Sequence, residues 1–408
     1  MRKVLPAVAG LVGAGLLVAL GPAGAASADG GGGAAATVRI SVAADGTQSN
    51  DTSFHPVISR NGRYVAFVSR ATNLVPSDPV PAGQNQTYLR DLQEGTLQRV
   101  TLDGAPVEVT DFSASGERML IRSLGGLYVR DLPAGPTRRV DLDLGDFAGG
   151  SPSGARISGS GRYVVFTESR PAGSTAAEGS RVYVRDLLDA TTQWVSQPDT
   201  GAGTRYADGA VISDDGQRVA YTDVRYPPTG PAKGHALLLD RSTGERQTVD
   251  VAQDGSTPER AVGGLSLSAD GTVVLFNRSD TSPVTANDQN ATTFVRDLAA
   301  GTTRPAPFGR PTSFGSLSAD GRSVLLMAGV VGPTTPTLPP LFLWDRVTGQ
   351  AQLATVTKDG GPATGYPGRV AMTGDGRTFV FESLDSDVVA GDTNRTWDVF
   401  VRTLPPAT

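Results

Sequence analysis

The chain repeats itself. Its unit is an apolar residue and a hydroxyl, a turn ending in Gly, a strand-like apolar run, a variable loop, a strand ending in Asp, a second turn and a closing strand. It is first met as ISRNGRYVAFVS with YLRDLQEGTLQRV, residues 58–69 and 88–100. Six further copies follow: FSASGERMLI with LYVRDLPAGPTRRV, ISGSGRYVVF with VYVRDLLDATTQWV, ISDDGQRVAY with LLLDRSTGERQTV, LSADGTVVLF with FVRDLAAGTTRP, LSADGRSVLL with FLWDRVTGQAQLA, and MTGDGRTFVF with VFVRTL. The anchoring hydroxyls Ser59, Ser113, Ser158, Ser213, Ser268, Ser318 and Thr373 lie 54, 45, 55, 55, 50 and 55 residues apart. A period near fifty with four short strand signals per period predicts propeller blades rather than a helical solenoid.

The fold expected is therefore all-β: a seven-bladed β-propeller of four-stranded antiparallel blades, strands a to d running outward. The a-to-b turns end in Gly, from Asn61-Gly62 to Asp375-Gly376, where positive φ costs no steric penalty. The Asp that follows strand c, as at Asp91 and Asp186, stands where a side chain bonds the backbone of the next turn, so it reads as structural rather than catalytic. The seventh unit has no fourth strand after VFVRTL. Residues 37–42, TVRISV, match LQRVTL and TRRVDL, so this amino-terminal strand is expected to complete the last blade and cover its open edge.

Although 408 residues suffice for two average domains, repeats that need one another for burial imply a single propeller over 37–404, with 405–408 as a tail. Before it, Arg2 and Lys3 precede an apolar run and then small residues up to Ala28. That is the pattern of a cleaved secretory signal peptide over 1–28, and 29–36 reads as a Gly/Ala-rich spacer. The chain has no Cys, which excludes disulfides and a lipid-modified Cys. Export with no stable membrane anchor after cleavage, to the cell envelope or beyond, follows. Cleavage would remove Arg2 and Lys3 and take the formal charge from -5 to -7. Such a body gives no electrostatic reason to bind nucleic acid or anionic lipid.

With the apolar-Ser-x-Asp-Gly signature before strand b, the chain resembles the TolB-like and WD40-like bacterial propeller repeats over about residues 37–404. The resemblance implies a binding platform in or outside the cell envelope. Two departures stand out: seven units are read where TolB has six, and no separate domain is read before the repeats. No hydrolase domain is read after them, so likeness to propeller-gated peptidases stops at the propeller.

The b-to-c and d-to-a connections share one face of a propeller. The long b-to-c loops of 71–86, 279–292 and 383–397 make it the expected ligand face, and the very short Leu124-Gly125-Gly126 lowers its rim at blade two. Residues just upstream of each strand a are expected to ring the channel mouth: Phe54, His55, Glu108, Asp111, Arg156, Tyr206, Asp208, Phe314, Tyr366 and Arg369. Mixed charges with aromatics suit a peptide or a glycan. In blade seven, Asp392, Asn394 and Asp398 present oxygen ligands suited to a structural calcium ion, although the twelve-residue loop with central Gly and final Glu is absent. An Asx-rich turn explains the same letters.

Only two His exist, His55 and His235, in distant blades, and no nucleophile motif accompanies them. The reading is of a secreted, non-catalytic scaffold that binds a protein or an extracellular polymer through the long-loop face. Its alternative is an extracellular carbohydrate-active hydrolase or lyase, with Glu108, Asp111 and Asp208 converging as channel-mouth carboxylates.

Overall fold

The computed structural model describes residues 35–171, 178–197, 204–226, 233–257, 261–279, 291–308, 312–329, 340–363 and 369–405. Residues 1–34, which hold the expected leader and most of the expected spacer, lie outside the described residues.

The innermost strands of the seven blades are Ser53–Ile58, Glu108–Phe112, Ser151–Ile157, Thr204–Ile212, Ala261–Leu267, Thr312–Leu317 and Val370–Met372. Each pairs antiparallel with the strand b that follows it, and b with c, so chain order and spatial order coincide within a blade. Blades three and four merge into one eight-stranded sheet through a short parallel pairing of Glu178 with Arg205 and Ser180 with Tyr206. The amino-terminal strand Ala36–Arg39 pairs antiparallel with Asp398–Thr403 in the register Ala36↔Thr403 to Arg39↔Phe400, forming strand d of blade seven. The ring is thus closed by its two distant ends, as the sequence match predicts.

Strand b is buried on both faces, which is why it reads as a continuous apolar run rather than an alternation. Tyr64 and Ala66 point to blade two and pack with Phe112 and Met119, whereas Val65 and Phe67 point to blade seven and pack with Val380 and Val399. Among the described residues the core accordingly falls into seven clusters, each seated between two neighbouring blades. Each fully buried large apolar side chain contributes about 1.5–3 kcal/mol, so removing any interface exposes two blades at once.

The repeated motif has a hydrogen-bonding reason. The anchor hydroxyl accepts the N–H five residues on, as Tyr64 to Ser59 at 2.9 Å, Arg218 to Ser213 at 2.9 Å and Ser323 to Ser318 at 2.8 Å. It donates to the side chain two residues on, as Ser213 to Asp215 at 2.6 Å and Ser268 to Asp270 at 2.6 Å. These turns then bond one another around the axis: Ala114 N to Gly159 O, Ser160 N to Asp214 O, Asp214 N to Ala269 O, Ala269 N to Ala319 O, Ala319 N to Gly374 O and Gly374 N to Arg60 O. Asn61 Nδ2 to Ser115 O supplies the seventh link and closes the circle. The Asp after strand c bonds the following turn, Asp91 accepting the N–H of Gln93 and Asp345 that of Val347.

Candidate functional site

Innermost strands in six blades carry a bulge against strand b, which turns backbone toward the axis. In blades three, four and five the bulge includes a left-handed Gly: Gly154, Gly209 and Gly264. In blade one the same place is taken by His55, with φ of 54°. A non-Gly residue held there stores strain, and such positions cluster at functional sites. Its N–H is fixed by the Glu382 carboxylate and its ring meets Phe54 edge to face, centroids 4.9 Å apart.

Two connected cavities lie beside it. The central channel, about 740 Å³, is walled by innermost strands and bordered by Arg60, Glu108, Asp111, Arg122, Arg156 and Arg369. A cleft of about 890 Å³ opens where the two-residue connection Leu124-Gly125 lowers blade two. Phe54, His55, Pro106, Leu124, Leu142 and Pro152 give it apolar walls. Glu108, Arg122 and Arg369 border both, so the two spaces share one charged junction. There Arg369 donates to Glu108 Oε1 at 2.9 Å and Arg122 to Oε2 at 3.1 Å. Burial alone would raise the Glu108 carboxyl, but the bonds from Arg122 and the Arg369 charge hold it below its usual value. Burial, helped by Arg369 and opposed by Glu108, lowers the His55 imidazole and favours its neutral form.

The expected ring of residues assembles in part. Phe54, His55, Glu108 and Arg369 meet at the cleft, and Asp111 and Arg156 line the channel. Phe314 lies at the bulge of its strand, and Tyr366 falls outside the described residues. Tyr206 does not reach the mouth: it sits at the blade three to four junction, its ring so close to Gly179 that a Cβ there would lie 2.1 Å from it. Nor do Glu108, Asp111 and Asp208 form an acid–base set. Glu108 is locked by two arginines, Asp111 accepts the N–H groups of Ile157 and Phe112, and Asp208 accepts the N–H of Gly209 and borders neither cavity. Burial pushes Asp111 up despite the Arg156 charge and the Ile157 N–H. His235 contacts Asp250 across the outer strands of blade four, away from His55.

The cleft also holds a group that sequence reasoning passed over. Glu168, near the end of strand b in blade three, borders it while only 1% exposed, and its Oε2 has no hydrogen-bond partner among the described residues. Burial, then the Asp141 charge, pushes its carboxyl up to about 7 against the pull of Arg139. The signal lies in the repeat column two residues past the buried apolar residue of strand b, where blades one and two carry Ser69 and Ser123 and blade three carries Glu168. In blade four that column holds Asp223, which pairs with Arg205.

Asp392, Asn394 and Asp398 do come together, but as a clasp for the closing strand. Asp398, fully buried, accepts Ser41 Oγ at 2.5 Å, Ser49 Oγ at 3.0 Å, Gln48 Nε2 at 3.1 Å and Asn394 Nδ2 at 3.0 Å. Asp392 accepts Gln48 Nε2 at 2.8 Å and stands 3.3 Å from the Arg39 guanidinium. Carboxylates already filled by N–H and O–H donors, with a cation alongside, do not fit a calcium ion. Among the described residues, no group of three or more His, Cys, Asp or Glu side chains is placed to hold a metal.

A β-propeller with an open, charged cleft on its long-loop face is the class these features define. No protein-family model matches the chain, and no curated protein matches it. Solved structures do. An oligogalacturonate lyase from Vibrio parahaemolyticus is 13% identical, over 93% of this chain and 99% of that one, with a TM-score of 0.57. Acylaminoacyl peptidase from Pyrococcus horikoshii is 11% identical, over 82% of this chain and 49% of that one, at 0.54. Putative TolB from Agrobacterium tumefaciens is 16% identical, over 76% and 94%, at 0.43. The expected β-propeller is borne out as a likeness of fold. The expectation of a non-catalytic chain is corrected: an oligogalacturonate lyase shares this fold over its length and an acylaminoacyl peptidase over about half of its length, so the propeller gives no ground for excluding chemistry.

Proposed function

We propose that this chain is an exported propeller that holds an extracellular glycan on its long-loop face, in the cleft over blade two and the adjoining channel mouth. The observation that carries this is the cleft: a concavity of about 890 Å³ with apolar walls and a few convergent polar groups suits a small oligosaccharide segment. Phe54 and His55 offer ring faces for sugar C–H surfaces, and Arg122 and Arg369 offer guanidinium forks for hydroxyl or carboxylate groups. A protein partner fits less well. Outside the cleft, the exposed large apolar side chains among the described residues are single and scattered: Val38, Leu188, Tyr206, Val347 and Leu384. The export step rests on the leader-like residues 1–28.

Turnover of the bound glycan is a second reading, favoured by a cleft carboxyl, Glu168, that holds its proton near neutrality and so suits a general acid. Titrating the protein with neutral, uronate-containing and amino-sugar oligosaccharides, with reducing ends assayed in parallel, tests both. Arg369→Ala should weaken binding at least about tenfold, the scale of a lost charged hydrogen bond. Absence of binding to every saccharide class would end the glycan reading.

A further inference from the structure

The unpartnered Glu168 asks what would satisfy it. It lies on the face of blade three turned toward blade two, in line with Phe166. The charged groups facing it from blade two are Asp141 and Arg139, and Arg139 is already committed to Asp141 through Nε at 2.9 Å and Nη2 at 3.1 Å. On its own sheet, the Tyr183 hydroxyl donates to Leu144 O, and Arg181, opposite Glu168 in register, is turned to Asp146 and Glu178 and lies over the Phe147 and Trp194 rings. Among the described residues, no donor therefore serves Glu168 Oε2.

At the edge of the cleft, glycine backbone packs directly against both acids, where a side chain would collide with them. A Cβ on Gly126 would stand 2.3 Å from Asp141 Oδ2, and one on Gly150 would stand 2.7 Å from Glu168 Oε1. The corner thus holds two carboxyls against one guanidinium, one negative charge in excess when Glu168 ionises. A hydroxyl could meet the hydrogen-bonding need but not the charge. A single ammonium meets both, and its presence would draw Glu168 into its ionised form.

We propose that this corner of the cleft binds a primary ammonium group, and that the glycan held there carries an unacetylated amino sugar. This rests on the glycan reading above. The excess negative charge at the Glu168 corner and the arginines at the junction place opposite charges along one cleft, which orients a chain lying in it.

Isothermal titration of the full chain with a (1→4)-linked glucosamine tetramer and with its N-acetylated counterpart is the test. At pH 7 the amine tetramer should bind at least about tenfold more tightly, the equivalent of one charged hydrogen bond. Glu168→Gln should abolish the preference. A second measurement needs no variant: at pH 5, where Glu168 is protonated, the preference of the unaltered protein should fall at least about fivefold. Equal binding of the two tetramers, failure of the amine tetramer to bind, a preference retained in Glu168→Gln, or a preference unchanged at pH 5 would each overturn the ammonium assignment. The glycan reading is judged separately, since it survives any of these results if another saccharide class binds in an Arg369-dependent way.

Discussion

Replacing Asp398 by Ala should open the ring where its two ends meet. The side chain is fully buried and accepts hydrogen bonds from Ser41, Ser49, Gln48 and Asn394. Three of those donors come from the amino-terminal segment, about 350 residues away in the chain. Truncation removes the acceptor and strands the donors. Each buried polar group left unsatisfied costs about 1–3 kcal/mol, but the set relaxes together and water enters, so the terms do not add. Loss of one partner from a buried charged network typically costs about 3–5 kcal/mol, which is the expected effect. Equilibrium urea unfolding followed by tryptophan fluorescence reads it, Trp397 lying next to the clasp in sequence. A loss under about 1 kcal/mol would refute the clasp. So would a rise in melting temperature of the unaltered protein on adding calcium, because the carboxylates would then be ligands rather than acceptors.

Other consequences are narrower. His55→Gly should stabilise the fold by about 1 kcal/mol, since Gly accepts the left-handed backbone that His55 strains to adopt, while weakening saccharide binding; thermal melts and titration read both. Glu168 should make stability depend on pH. Its folded pKa of about 7 lies above the ordinary carboxyl value, so its contribution is complete below about pH 4.5 and is lost as pH rises through 7. Glu168→Gln should therefore gain about 2–3 kcal/mol on the unaltered protein between pH 4.5 and 8 in parallel urea titrations, and parallel curves would count against the buried acid. Ser213→Ala should cost about 1–2 kcal/mol by leaving the Arg218 N–H without its acceptor, whereas Ser115→Ala, at an exposed turn position, should cost less than about 0.5.

Repetition made the fold legible. Each Ser-x-Asp-Gly turn is solved locally, with a hydroxyl reaching an N–H five residues on, so seven copies announce seven blades before any contact between them is known. The closing strand was legible for the same reason: TVRISV carries the letters of a strand d that the seventh unit lacks. The lowered rim at Leu124-Gly125 was legible too, because a loop of two residues cannot rise.

What the sequence left open depends on residues that are neighbours only in space. Asp392, Asn394 and Asp398 spell a metal loop or a hydrogen-bonded clasp equally well, and Gln48 with Arg39 decides between them from the far end of the chain. Glu108, Asp111 and Asp208 are acids near the axis, yet their roles were set by two arginines and by backbone N–H groups across blade boundaries. Glu168 looks in its own strand like one more polar residue past the core. Blade two's wall, with Asp141 and two glycines pressed against the carboxyls, is what takes it out of water without giving it a donor. Local hydrogen bonding fixes a repeat within a few residues of chain, whereas desolvation and charge pairing are properties of the space between blades, which exists only once the ring is closed.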